Sequence, residues 1–173
     1  SIISTTGFAT VNFDMWPAFS KTILVLLTIT GACAGSTTGG LKLSRVLLLI
    51  KSMVKEVKHV LRPRSVNVVR VDGEAVSIET LHGASSYFSI YALLILASTL
   101  LVSVDGFDMT TNFTATLTCI NNVGPGLSLV GPSGNFSAFS HFSKIVLTLD
   151  MFLGRLEIMP VLILLSPTAW RRH

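Results

Sequence analysis

The sequence predicts an all-α membrane protein built from repeated helix-loop-helix units, with a small β-hairpin on the cytoplasmic side. Three observations carry that expectation. Half of the 173 residues are hydrophobic, 13% are charged and the mean hydropathy is +0.67, too apolar for an ordinary soluble domain. The apolar residues gather in long blocks, and a helix needs roughly 20 such residues to cross about 30 Å of hydrocarbon. A glycine-centred loop and the helix that follows it occur twice along the chain, as internal repeats do in many transport folds.

The first element is the loop around Thr5-Thr6-Gly7-Phe8. The chain opens inside this motif, with no basic start or apolar h-region of a signal peptide, and reads as a truncated product. An apolar block from Phe19 to Ala34 follows, interrupted by GACAGSTTGG at Gly31 to Gly40. Such a run has little helical propensity and many polar groups, so it is expected to break the helix into an intramembrane loop. A close-packing surface of small residues is the alternative. A phosphate-binding loop does not fit, because the last glycine of Gly35-Ser-Thr-Thr-Gly-Gly40 is followed by Leu41 and the Lys arrives one place late.

Next comes a basic linker. Eight of the 13 Lys and Arg residues lie between Lys42 and Arg70, and Arg171 and Arg172 end the chain. The positive-inside bias places linker 42–83 and the C-terminus in the cytoplasm. That topology accounts for the net charge of +4 without nucleic acid as a partner. Within the linker, alternating residues around Asp72-Gly73 predict a hairpin over Val66 to Ile78. The span Ala84 to Val104 carries no charge, and an external loop from Asp105 to His141 contains Asp105 and Asp108 but no Lys or Arg. Thr110 to Asn121 is too short to span and too rich in Thr and Asn to face lipid, which suits a segment dipping in from one side. A surface amphipathic helix is the competing reading. The second glycine loop, Asn122-Val123-Gly124-Pro125, leads to a last block from Phe142 to Ser166 that holds Lys144, Asp150, Arg155 and Glu157. The expected units are 1–50, with a loop and a broken helix; 51–83, the linker; and 84–173, a complete unit. Cys33 and Cys119 read as packed thiols, and no His shows ligand spacing.

Laid over one another, the two loops keep their register downstream. WPAFSKTILVLL resembles FSAFSHFSKIVLTL, and Lys21 and Lys144 each precede a glycine, Gly31 and Gly154, by ten residues. The second copy carries six more residues before its Lys. At membrane depth an exposed carbonyl survives only where it lines a polar path, and a cation supplies the missing partner. Gly7 and Gly124 permit backbone angles that turn successive carbonyls the same way, where they replace an ion's hydration shell. A half-helix in front aims its negative end at the ion.

The motifs then become specific. STTGF with the following WP, and CAGSTTGGLKLSR, resemble the third unit of the Trk/Ktr/HKT superfamily of potassium-uptake proteins, in its TrkH/KtrB-type membrane subunit. NNVGPGLSLVGPSGNF and GRLEIMPVLILLSPTAW resemble the fourth. The resemblance covers essentially the whole chain. It implies four helix-pore loop-helix units around one pore, with the first two and the leading helices of the third absent here, so that this chain alone forms no closed pore. It implies potassium coordination, mainly by carbonyls, at Thr5, Thr6, Gly7, Asn122, Val123 and Gly124, and a gate at Gly35, Ser36, Thr37, Thr38, Gly39 and Gly40. It also implies a homodimer in the bacterial cytoplasmic membrane, regulated by a TrkA/KtrA-like cytosolic nucleotide-binding subunit that docks on the linker. Potassium is the transported ligand, and no cofactor is expected. Asn122 and Val123, standing where the first loop has Thr5 and Thr6, suggest modest discrimination against sodium.

Arg155 and Glu157 are ionisable residues in a span, where burial of charge costs a few kcal/mol or more and function is the default reading. Arg155 is expected to face the pore below the loops, or else to pair with polar groups of the absent half. Asp150 stays unassigned. A membrane enzyme using Asp150, Arg155 and Glu157 would lack both a nucleophile-base pair and a metal set. A non-selective sodium and potassium pathway, or a non-conducting scaffold, is the further alternative.

Overall fold

A computed structural model of the chain describes residues 1–31, 40–61, 69–71 and 74–156. Gly35 to Gly39, Cys33, the Asp72-Gly73 turn and Glu157 lie outside the described residues. The elements run α1 (Ala18–Ile29), α2 (Leu43–Leu61), β1 (Arg70–Val71), β2 (Glu74–Ala75), α3 (Ile78–Val102), α4 (Met109–Ile120) and α5 (His141–Arg155). The structure is mostly helical, as the composition required. α1 ends at the glycine run, and the Gly31 amide donates to the Leu41 carbonyl at 2.8 Å. Thr30 and Leu41 pair there as a parallel bridge, so the end of α1 and the start of α2 sit side by side. α2 then runs through position 50 without a break.

The strands pair antiparallel, Arg70 opposite Ala75 and Val71 opposite Glu74, and the Val76 amide extends the ladder to the Val69 carbonyl at 2.9 Å. On its second strand the hairpin stops short of Ile78, where α3 starts. Ser77 caps it by accepting from the Thr80 amide at 3.3 Å. With the 3-10 turn Ser103–Asp105, α3 is the one helix among the described residues long and apolar enough to cross a membrane. Gly106, at φ +76, ends it in a left-handed conformation that glycine adopts readily.

α4 is the most enclosed element. Asp108 caps its start through the Thr111 amide and hydroxyl, and hydrogen bonding from Thr111 holds the Asp108 carboxyl below its usual range. Thr111, Asn112 and every residue from Thr114 to Ile120 are buried, which removes the surface-helix reading. At roughly 1.5 Å per residue its 12 residues reach about 18 Å, too short to span. It packs against α1, α3 and α5. Two of its hydroxyls bond locally, Thr114 donating to the Thr110 carbonyl at 2.7 Å and Thr118 to the Thr114 carbonyl at 2.8 Å. This back-bonding to the preceding turn recurs at Thr22 and Thr28 of α1, at Thr30 that closes it, and at Thr148 of α5.

Two apolar clusters grip α4. Tyr87, Tyr91, Ile95 and Leu41 enclose Leu117 and Ile120 on one side, while Val102, Val130, Phe139 and Leu147 enclose Ala115 and Cys119 on the other. The Arg45 guanidinium lies 4.1 Å over the Tyr87 ring, a cation-π contact. Outside, Asp105 accepts from the Ser140 amide at 2.9 Å and so ties the end of α3 to the start of α5.

α5 approaches α4 closely at Gly154. A Cβ there would collide with the Ile120 carbonyl oxygen and lie 2.7 Å from its carbon, so α5 meets the end of α4 backbone to backbone. Gly154→Ala is therefore expected to lower stability by roughly 1–3 kcal/mol through overpacking. Thermal unfolding of the purified full-length protein in detergent checks this, and an unchanged midpoint would contradict the contact.

Candidate functional site

The site is built from two loops that end helical turns in the same way. After α4, the Asn122 amide donates to the Cys119 carbonyl at 3.1 Å and the Val123 amide to the Thr118 carbonyl at 3.0 Å. At the start of the chain, the Thr5 amide donates to the Ile2 carbonyl and the Thr6 amide to the Ser1 carbonyl, both at 3.0 Å. This is the paired bond pattern of a Schellman closure, with the residue after the helical turn left-handed. Asn122 has φ 55 and Thr5 has φ 52. Asn tolerates this region, whereas a β-branched Thr seldom enters it, at about 1–2 kcal/mol. Two residues further on, Gly7 and Gly124 are again left-handed, at φ 76 and 105.

The closure fixes where the backbone dipoles point. The amides of Thr5, Thr6, Asn122 and Val123 turn back to the preceding helical turn. Among the described residues no hydrogen bond ends on the carbonyls of Thr5, Thr6, Gly7, Asn122, Val123 or Gly124. The two loops also meet: a Cβ on Gly7 would collide with the Val123 carbonyl oxygen and lie 3.1 Å from Pro125 Cδ. Gly124 has nothing within 4 Å of that position. The two loops are therefore in contact through Gly7 and Val123, and the negative C-terminal end of α4 leads into the second of them.

Beyond the loops the two copies stay in register. Asn12 accepts from the Asp14 amide, and Asn135 accepts from the Ser137 amide. Each Asn opens a 3-10 turn, Phe13–Met15 and Phe136–Ala138. Each turn carries a ring pair, Phe13 with Trp16 and Phe136 with Phe139. Lys21 reaches Asp14 at 3.7 Å, and Lys144 donates to the Ser137 carbonyl at 2.9 Å. The extra residues of the second copy include Ser128, itself left-handed at φ 58, whose amide donates to Asp14 at 2.9 Å. Asn12 also donates to the Ser133 hydroxyl at 3.3 Å. One copy thus clamps the insertion of the other. Lys144 and Thr148, with Asn122, Val123 and Gly124, line a cleft of about 360 Å³ beside the second loop.

The remaining candidates are placed as follows. Gly40, at φ 79, packs against Asn121, the residue just before the second loop. Arg155 is the last residue of α5, its side chain exposed, immediately after Gly154. Asp150 faces inward at 2% exposure, one oxygen accepting from the Ser98 hydroxyl at 2.7 Å. No group of three His, Cys, Asp or Glu side chains suited to a metal ion occurs among the described residues. Sequence reasoning missed Asn121, Tyr91 and Asp14. Asp14 stood at an equivalent position in the repeat and was legible there; the other two showed no signal.

The profile of the family described as TrkH, cation transport protein, matches residues 1–171. Among curated relatives, the chain is 36% identical over 171 residues to the Trk system potassium uptake protein TrkH of Escherichia coli K12. It is 34% identical over 171 residues to the TrkG protein of the same organism, named likewise. Each alignment covers 99% of this chain and 35% of the relative. In three dimensions it resembles the crystal structure of the potassium transporter TrkH from Vibrio parahaemolyticus, with a TM-score of 0.88 at 39% identity, over 98% of this chain and 36% of that one. The chain thus spans about a third of the length of the relatives it matches.

The two glycines differ in a way that separates their roles. Gly7→Ala meets both a left-handed φ and the Val123 carbonyl, whereas Gly124→Ala meets only the unfavourable φ, at about 1–2 kcal/mol. Gly7→Ala is expected to lower the unfolding midpoint of the full-length protein further than Gly124→Ala; equal shifts would mean that the loops do not touch.

Proposed function

This chain belongs to the TrkH family of cation transport proteins, and we propose that it supplies two of the carbonyl loops lining a potassium-uptake pore in a longer polypeptide. The observation that carries the reading is the set of six carbonyls at Thr5, Thr6, Gly7, Asn122, Val123 and Gly124. An unpaired carbonyl costs several kcal/mol in hydrocarbon, and a dehydrated alkali cation is the partner that offsets this loss. Such a pathway needs no covalent chemistry and no cofactor in this chain. On this reading residues 1–50 and 84–173 are helix-pore loop-helix units, of which the first is incomplete, and 51–83 joins them on the cytoplasmic side.

The same reading extends to the surroundings. Units absent from this chain complete the ring of loops, and the assembled protein is a homodimer in the bacterial cytoplasmic membrane, with the C-terminus inside. A cytosolic nucleotide-binding subunit docks on the basic linker. The glycine segment ending at Gly40 gates the path, and Arg155 places a positive charge below the loops. A non-conducting scaffold would bury the loops dry and satisfy their carbonyls with protein groups, and among the described residues no such groups are present.

Rubidium uptake into proteoliposomes containing the full-length protein tests the proposal. The expected result is uptake that potassium suppresses more strongly than sodium, and an altered rate for Arg155→Ala at normal abundance. An absence of cation flux would refute the pore, and an unchanged rate would refute the role of Arg155.

A further inference from the structure

We infer that Asn121, held by Tyr91, is a positioning residue for the second carbonyl loop, and that the same buried network ties this loop to the end of the glycine segment at Gly40. The inference rests on the functional reading above and names what fixes the loop's shape. Asn121 closes α4 and is fully buried, at 0% exposure. Its Nδ2 donates to the Leu117 carbonyl at 2.7 Å, which fixes the amide plane. The Tyr91 hydroxyl meets the other side of that plane, 2.9 Å from Nδ2 and 3.0 Å from Oδ1.

Tyr91 is held in turn. It stacks on Tyr87 with ring centroids 6.5 Å apart and planes 11° apart, and the Tyr87 hydroxyl donates to the Gly40 carbonyl at 3.2 Å. Gly40 closes the circuit, because a Cβ there would collide with Asn121 Oδ1. The glycine segment's last residue, span α3 and the residue before the loop therefore form one packed polar unit inside the bundle.

The chemistry gives this unit a purpose. Asn122, immediately after Asn121, must hold a left-handed φ of 55 for the carbonyls to turn outward, and left-handed backbone persists only where its surroundings over-determine it. Asn121 is the neighbour that does so, being bonded from both sides and unable to reach water. A buried amide that loses a partner in low dielectric is strongly disfavoured, so the network admits few arrangements. Displacement of Gly40 must either push Asn121 or break the Tyr87 bond.

Selectivity is the readout that a merely structural role would not move. In proteoliposomes of the full-length protein, rubidium and sodium fluxes are measured for the unmodified protein, Tyr91→Phe, Asn121→Ser and Tyr87→Phe. Tyr91→Phe keeps the ring and removes only the hydroxyl. It is expected to lower the rubidium-to-sodium ratio by roughly three- to tenfold, the scale of energetic coupling between packed residues. Tyr87→Phe is expected to alter the total rate while the ratio is retained. Unmodified protein that conducts selectively, with an unchanged ratio in Tyr91→Phe, overturns the positioning role alone; unmodified protein that conducts neither ion overturns the carbonyl-loop reading instead. Should Tyr91→Phe fail to accumulate, Asn121→Ser carries the same expected fall and the same refutation. A wild-type rate in Tyr87→Phe overturns the link to Gly40.

Discussion

A helix that ends inside a membrane leaves its last carbonyls without partners, and the structure of this chain follows from how that constraint is met. At both loops the closure turns two amides back to the preceding helical turn and sends the next residues through left-handed backbone. The outcome is a short run of main-chain carbonyls at each loop that accept no hydrogen bond among the described residues. Residue type matters here less than backbone angle. Thr5 and Asn122 have different side chains and nearly the same φ, 52 and 55, so the two loops present similar oxygens from dissimilar sequences. On the proposed reading, that is how a pore of non-identical units surrounds one ion.

The rest of the bundle holds this geometry in place. α4 is enclosed by its neighbours, and glycines stand at the close contacts: Gly154 on the Ile120 backbone, Gly7 on the Val123 backbone and Gly40 on the Asn121 side chain. At Gly154 and Gly7 main chain meets main chain, with no flexible side chain between to absorb a shift. On the outer face, Asp14 joins Lys21 and the Ser128 amide, so the longer connection of one copy is anchored by the shorter connection of the other. These polar contacts lie near the surface and are individually weak. Their contribution is register, which the tight contacts below require.

Much of this was legible in the residues. The apolar block that became α3, the end of α1 at the glycine run, the hairpin and the short helix α4 follow from hydropathy, glycine placement and helix length. The repeat was readable because Lys21 and Lys144 keep their distance from a glycine, and the structure adds matching Asn turns and ring pairs that side-chain identity alone half conceals, Trp16 standing where Phe139 stands. What could not be read were partners set by folding. Tyr91 looks like any aromatic residue in an apolar span until α4 brings Asn121 to its hydroxyl. α2 was obscured because its Lys residues suggested a linker, yet the apolar residues between them at helical spacing sustain one helix from Leu43 to Leu61. Asp150 could be placed toward the bundle interior by its spacing from Gly154, but its partner, the Ser98 hydroxyl, comes from another helix and could not be read.

The central claim is that the carbonyls of Thr5 to Gly7 and Asn122 to Gly124 hold a dehydrated cation. Anomalous diffraction from crystals of the full-length protein soaked in a rubidium or thallium salt locates such an ion directly. Peaks within coordination distance of those oxygens, diminished by competing potassium, are the predicted result. Well-ordered loops with no anomalous density between them, and peaks elsewhere along the path, would contradict it.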